Sequence, residues 1–199
     1  MLSTTIKILH TAFVCVLVPV YWYQYGPQNF LWFSDLALIL SIVALWRESS
    51  LLASMLALSV LVFDLIWCID IVGGLPLGRP LVGFSPYMFD PNYPLWLRLL
   101  SLFHLWMPPL LVWMVARYGY DRRALAIQTL VCWIVLVASY FVSTRQENIN
   151  FVFGLGESEP PVPGPVYFAL LMISMPVLFY LPTHFVLLRF ERKQQSNTE

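Results

Sequence analysis

Charge is scarce in this chain. Lysine and arginine number 11 and aspartate and glutamate 11, together 11% of 199 residues, against roughly 25% in soluble domains. The two signs cancel to a formal net charge of zero, so the basic field that a nucleic-acid partner requires is missing. Cysteine is scarce as well. Cys15, Cys68 and Cys132 are odd in number, have no paired spacing and fall inside apolar runs, which excludes a disulfide framework. There is no internal repeat and no low-complexity tract.

What the chain has is apolar residues, 59% of the total. They gather into runs at about 8–25, 29–46, 51–71, 97–116, 124–143 and 166–188. Each is near the ~20 residues that carry a helix across ~30 Å of hydrocarbon, and helices satisfy their own backbone there. The expectation is an all-α integral membrane protein, a six-transmembrane-helix bundle filling residues 1–199 as one membrane domain. The first run follows Lys7 as a signal peptide would, but Tyr21-Trp22-Tyr23-Gln24-Tyr25 offers no small-residue cleavage pattern and reads as an interfacial aromatic belt on a retained helix.

Six spans put both termini on one side. Lys7, Arg47, Arg117, Arg122, Arg123, Arg189, Arg192 and Lys193 fall on that side, and Arg79, Arg98 and Arg145 on the other. The positive-inside bias therefore makes both termini cytoplasmic. Short cytoplasmic connections, Arg47 to Ser50 and Arg117 to Arg123, make their flanking helices antiparallel neighbours. Residues 72–96 and 144–165 are long exoplasmic loops. The first is broken by Gly73, Gly74, Pro76, Gly78 and Pro80 yet rich in Phe84, Tyr87, Phe89, Tyr93 and Trp96, so it is expected to fold back as a cap. The second, with Asn148, Asn150, Glu157 and Glu159, is expected to be a partner lid, and residues 191–199 a flexible cytoplasmic tail.

Within the apolar runs stand Asp35, Asp64 and His104. A charge at mid-helix costs about 2.5–3.5 kcal/mol on insertion scales, so such groups face the bundle interior and find partners. Counted from the exoplasmic ends, Asp35 lies six residues into its run, Asp64 seven before the end of its run and His104 seven into its own. All three fall about 9–10 Å deep at ~1.5 Å per residue, with Tyr140, Ser139 and Ser143 nearer the interface. Pro108 and Pro109 free the carbonyls of His104 and Leu105, and a kink just below the histidine is expected. Cys68, one turn from Asp64, reads as packing, since a neighbouring carboxylate does not favour thiolate. His10, Asp70 and His184 fall near helix ends and read as interfacial.

The stretch Phe30-Leu31-Trp32-Phe33-Ser34-Asp35-Leu36, His104 five residues before Pro109, and Gly164-Pro165 before the last run resemble the androgen-induced family of six-helix membrane hydrolases. That resemblance implies a similar size and helix count and cleavage of fatty-acid esters of hydroxy fatty acids by a threonine and a histidine. His104 stands at the family's histidine, Asp35 at an acidic residue near the threonine, and Trp32 at the threonine itself. An indole cannot be the nucleophile of acyl transfer. Ser34, two residues on, is about 200° around a helix from that position.

Two functional classes follow. In one, the chain is a membrane enzyme on an apolar small-molecule substrate, with His104 as base, Asp35 or Asp64 orienting it, and water, Ser34 or Cys68 as nucleophile. In the other, it is a ligand-binding, proton-coupled or structural membrane protein that uses the same residues without chemistry. Membrane lipids are its partners in both, and neither needs a cofactor. One histidine with two carboxylates is a thin ligand set, and no metal site is assigned.

Overall fold

The computed structural model describes residues 3–155 and 160–196, without the side chains of 192–196. Among them every regular element is helical: α1 (Thr4–Tyr25), α2 (Phe33–Arg47), α3 (Ser50–Gly74), α4 (Leu95–Leu100), α5 (Phe103–Tyr118), α6 (Ala124–Val142), α7 (Gly164–Ser174) and α8 (Leu181–Ser196). Short 3₁₀ turns intervene, and a π-helical segment, Met175–Tyr180, joins α7 to α8. Five of the continuous helical stretches are long and apolar enough to cross a membrane: Thr4–Tyr25, Ser50–Leu77, Leu95–Tyr118, Ala124–Val142 and Gly164–Glu191. This is the build of a multi-pass membrane protein.

The run at 29–46 differs from expectation. Gly26, at φ 81°, ends α1, Pro27–Leu31 forms a 3₁₀ turn, and α2 begins only at Phe33 and spans 15 residues. At ~1.5 Å per residue that is about 22 Å, short of the hydrocarbon thickness. At the other end of the chain, α8 runs on through Ser196 where a frayed tail was expected from Glu191. Glu, Arg, Lys and Gln are good helix formers. Glu157, Glu159 and residues 197–199 lie outside the described residues.

The long helix α3 is the axis of the packing. It contacts α2, α5, α6 and α8, and Ala53 to Val60 is an unbroken buried stretch with small Ala53, Ser54, Ala57 and Ser59 among it. Small residues let membrane helices approach closely. The outer faces are the reverse of a soluble protein's: Leu9 is 63% exposed, Phe141 79% and Val186 64%, surface that only lipid or a partner can cover cheaply.

Proline interrupts two spans without breaking them. Pro108 sits inside α5 and cannot bond the His104 carbonyl, which instead accepts from Cys68 Sγ of α3 at 3.2 Å. Pro176 opens the π segment, and the Met172 carbonyl it leaves free accepts from Trp133 Nε1 of α6 at 2.9 Å. Neighbouring helices thus re-satisfy the backbone that proline strips. α5 runs unbroken through Pro108 and Pro109, and the interruption in this span lies above His104, at Ser101–Leu102.

Both long loops are tied to helix ends. Asp70 of α3, near the helix end as expected and fully buried, accepts from the Val82 and Gly83 amides and from the amide and hydroxyl of Ser85. Residues 81–85 are thereby wrapped onto the end of α3. Gly74 makes this possible, because a Cβ there would collide with the Arg79 carbonyl and the Phe89 ring. In the second loop Asn150, at φ 55°, accepts from Phe33 N at 3.1 Å and donates to Leu31 O at 2.7 Å and Ser139 Oγ at 3.0 Å. One buried asparagine therefore caps α2 and joins it to α6.

Candidate functional site

The fold brings His104 and Asp64 together. His104 Nδ1 lies 2.7 Å from Asp64 Oδ1, with Asp64 1% and His104 11% exposed at their side chains. The pairing is a product of α3 and α5, which share the most extensive helix–helix contact among the described residues. Asp64 Oδ2 is buried and has no partner. The imidazole is stacked on two rings, Trp67 at 4.6 Å and Phe103 at 4.1 Å between centroids, each inclined 25°. Trp67 is three residues after Asp64, so one face of α3 supplies the carboxylate, the ring and, at Cys68, the donor that holds the His104 carbonyl.

Asp35 is placed differently from the expectation of a mid-helix group. It is the third residue of α2, 5% exposed, and its Oδ2 accepts from Asn29 Nδ2 at 2.7 Å. The reason is the late start of α2: Pro27–Leu31 turns Asn29 back over the first helical turn, where a carboxylate is favoured by the helix dipole. Asp35 is within electrostatic range of Asp64 and of Tyr21 and Tyr87, but it bonds to neither Asp64 nor His104. Ser34 is half-buried beside it and bonds to no described residue of this layer. The four candidates therefore separate into a bonded pair, a nearby carboxylate and a detached hydroxyl.

Above the pair are three further hydroxyls. Tyr21 OH lies 2.9 Å from Ser101 Oγ, and Trp67 Nε1 donates to Tyr87 OH at 3.2 Å. Burial pushes the Tyr87 phenol up to about 12, so it carries its proton at neutral pH. Ser101 stands one turn before His104 and Trp67 one turn after Asp64, spacings visible in the letters. Tyr87 comes from the first long loop and no periodicity points to it. Tyr140 packs among Phe141, Phe153 and Phe168 instead of joining this layer.

His10 and His184 both have hydrogen-bond partners. His10 is 6% exposed and lies 2.7 Å from Ser41 Oγ, and His184 Nδ1 lies 2.6 Å from Tyr120 OH. No group of three or more His, Cys, Asp or Glu that could hold a metal is found among the described residues.

Chemically, an imidazole whose Nδ1–H is held by a buried carboxylate presents Nε2 as its base. The stacked rings hold its plane. The chain matches no protein-family model, and no curated protein or solved structure matches it.

Proposed function

We propose that the chain is a membrane hydrolase of six spans with both termini cytoplasmic, related in architecture to the androgen-induced six-helix hydrolases, and that it cleaves an ester of an apolar, membrane-resident substrate. In this reading α2, with the 3₁₀ turn before it, serves as the sixth span. The observation that carries the chemistry is the buried Asp64–His104 pair at 2.7 Å. With Trp32 in the threonine's place, water is the nucleophile. His104 Nε2 takes one proton from it, the hydroxide adds to the ester carbonyl, and the tetrahedral intermediate expels an alkoxide that receives the proton back from the imidazolium. Asp64 positions the ring and balances its transient charge. Asp35 and the hydroxyls of Tyr21, Ser101 and Tyr87 supply polar surface next to it.

The stacking of His104 between Trp67 and Phe103 favours a second reading. There the pair is a tie between α3 and α5, or a proton-holding site in a ligand-binding or transport protein, and does no chemistry. Purified protein in phosphatidylcholine nanodiscs, assayed against fatty-acid esters of hydroxy fatty acids and simpler long-chain esters, separates the two. The hydrolase reading expects turnover that His104→Ala reduces at least about 10²-fold, in the range of general-base losses, in protein that remains folded. Absence of turnover by the wild type, or turnover unchanged in His104→Ala, overturns it.

A further inference from the structure

The first long loop returns along α3. A Cβ at Gly73 would meet the Leu81 side chain, and one at Gly74 the Arg79 carbonyl. Leu81 N donates to the Asp70 carbonyl at 3.4 Å, the Val82, Gly83 and Ser85 amides go to the Asp70 carboxylate, and Tyr87 OH accepts from Trp67 Nε1 at 3.2 Å. Residues 79–87 therefore step down α3 from Gly74 to Trp67, about 10 Å at ~1.5 Å per residue.

The other end of α3 shows how deep that is. Ser54 Oγ accepts from the Asp121 amide at 2.8 Å, which sets Ser54 level with the charged Asp121-Arg122-Arg123 connection and so with water. Hydrocarbon ~30 Å thick takes ~20 residues of helix, which carries it from Ser54 to about Gly74. Any tilt of α3 leaves Gly74 deeper still. Asp70 then lies about 6 Å and Trp67 about 10 Å inside the hydrocarbon, with the residues bonded to them.

Two features of the segment fit that depth. Irregular backbone survives at membrane level only where the protein satisfies its polar groups, and the one Asp70 carboxylate does so for the amides of Val82, Gly83 and Ser85. The outward side chains are apolar: Val82 is 62% and Leu81 48% exposed. Leu81 lies over Gly73, one turn after Ile69, itself 59% exposed, so the patch continues the lipid-facing side of α3. Arg79, also exposed, stands level with Gly74, where its charge reaches the phosphates.

We propose that residues 79–87 form a re-entrant segment inside the leaflet at this end of the bundle, and that Leu81 and Val82, with Ile69, make a contact surface for phospholipid acyl chains. Asp70 admits the segment to the leaflet. Without its carboxylate the three amides have no acceptor there, and the segment must rise to water. This placement involves neither Asp64 nor His104 and does not rest on the hydrolase reading.

The test uses the full wild-type chain in nanodiscs of phosphatidylcholine carrying an aryl diazirine midway along one acyl chain, with labelled residues assigned by fragmentation in a mass spectrometer. Leu81 and Val82 should be labelled together with Ile69, and Asn92, an exposed polar residue of the same loop, should not be. Labelled Ile69 with unlabelled Leu81 and Val82 overturns the proposal, whether water or a second protein covers them. Asp70→Ala should lose the label at Leu81 and Val82 and keep it at Ile69, which also reports that the bundle is folded. Label retained at Val82 in that variant overturns the role given to Asp70.

Discussion

Asp70→Ala should release the first long loop while leaving the bundle folded. Asp70 is fully buried and is the shared acceptor for the amides of Val82, Gly83 and Ser85 and for the Ser85 hydroxyl, with distances of 3.1 Å to Gly83 N, 2.6 Å to Ser85 N and 2.8 Å to Ser85 Oγ. Removing the carboxylate strips all of them at once. Because Val82 and Gly83 are exposed, their amides regain water when the loop opens, and the loss per bond falls near the ~1–1.5 kcal/mol of an ordinary hydrogen bond. Three amide bonds at that rate give about 3–4.5 kcal/mol. At 1.4 kcal/mol per decade this is roughly a 10²–10³-fold rise in the opening equilibrium.

Hydrogen–deuterium exchange in detergent reads that equilibrium directly. Peptides covering 78–88 should exchange about 10²–10³-fold faster in Asp70→Ala, by the same arithmetic. Peptides from α3 and α5 should keep their protection, since the apolar contacts of those helices lie below the loop. Asp70→Asn, which retains one acceptor oxygen, should fall between the two. Loop exchange within about threefold of wild type, less than the loss of a single hydrogen bond can produce, would show that the carboxylate does not hold the loop. Loss of protection throughout α3 would show that its role is global.

Three other outcomes are expected. Asn150→Ala should lower thermal stability in detergent by about 1–3 kcal/mol, the cost of leaving Phe33 N, Leu31 O and Ser139 Oγ without their partner, and Asn150→Gly should do the same although it tolerates φ 55°, which isolates the side chain's share. Cys68→Ala should cost about 0.5–1 kcal/mol in wild type and much less in Pro108→Ala, where residue 108 supplies its own N–H to the His104 carbonyl; additive effects in the four-protein cycle would exclude the coupling. Glu147 is held below the usual carboxylate range by the Thr144 amide first and by Gln28 second. A depressed carboxyl stabilises the folded state above its unfolded value of about 4.3 and stops doing so as pH falls through the folded value. The melting-temperature difference between wild type and Glu147→Gln should therefore be full at pH 6 and shrink below about pH 4, and a constant difference would refute the assignment.

Five of the six expected spans were legible as helices long and apolar enough to cross a membrane, because their signal is length and hydrophobicity, which tertiary context does not alter. The second was read too long for the same reason. Leu31, Trp32 and Phe33 extend the apolar run, so hydropathy passes over the point where Pro27 and Asn29 form a 3₁₀ turn and α2 starts afresh. That shift moved Asp35 from the middle of a run to a first turn and changed its partner from His104 to Asn29. Asp64 and His104 were legible, together with Asp35, as members of one layer, because all three lie inside apolar runs, where counting rise gives depth; that only two of them bond was not legible. Nor was the burial of Asp70. Proximity to a helix end reads as an interfacial position in a sequence, and nothing in the letters marks the return of residues 81–85 that buries it there. Asn150 was equally silent, since what it caps lies 117 residues away.

The prolines show where local rules stop and tertiary structure begins. From the letters, Pro108 must strip the His104 carbonyl, and Pro176 the Met172 carbonyl, of their helical donors. The letters do not name the replacements, which lie 36 and 39 residues away on α3 and α6. For His104 the replacement has a mechanical consequence. Cys68 holds its backbone and Asp64 its ring, and these two residues are four apart on α3, one turn above the other. A single helical face therefore fixes both ends of the same residue. Moving α5 against α3 by even a fraction of a turn would break both bonds together, whereas a histidine tied by its ring alone could follow the motion through χ1. The imidazole is thus positioned relative to α3 and not relative to the lipid, the fixed placement that the proposed role as a base requires.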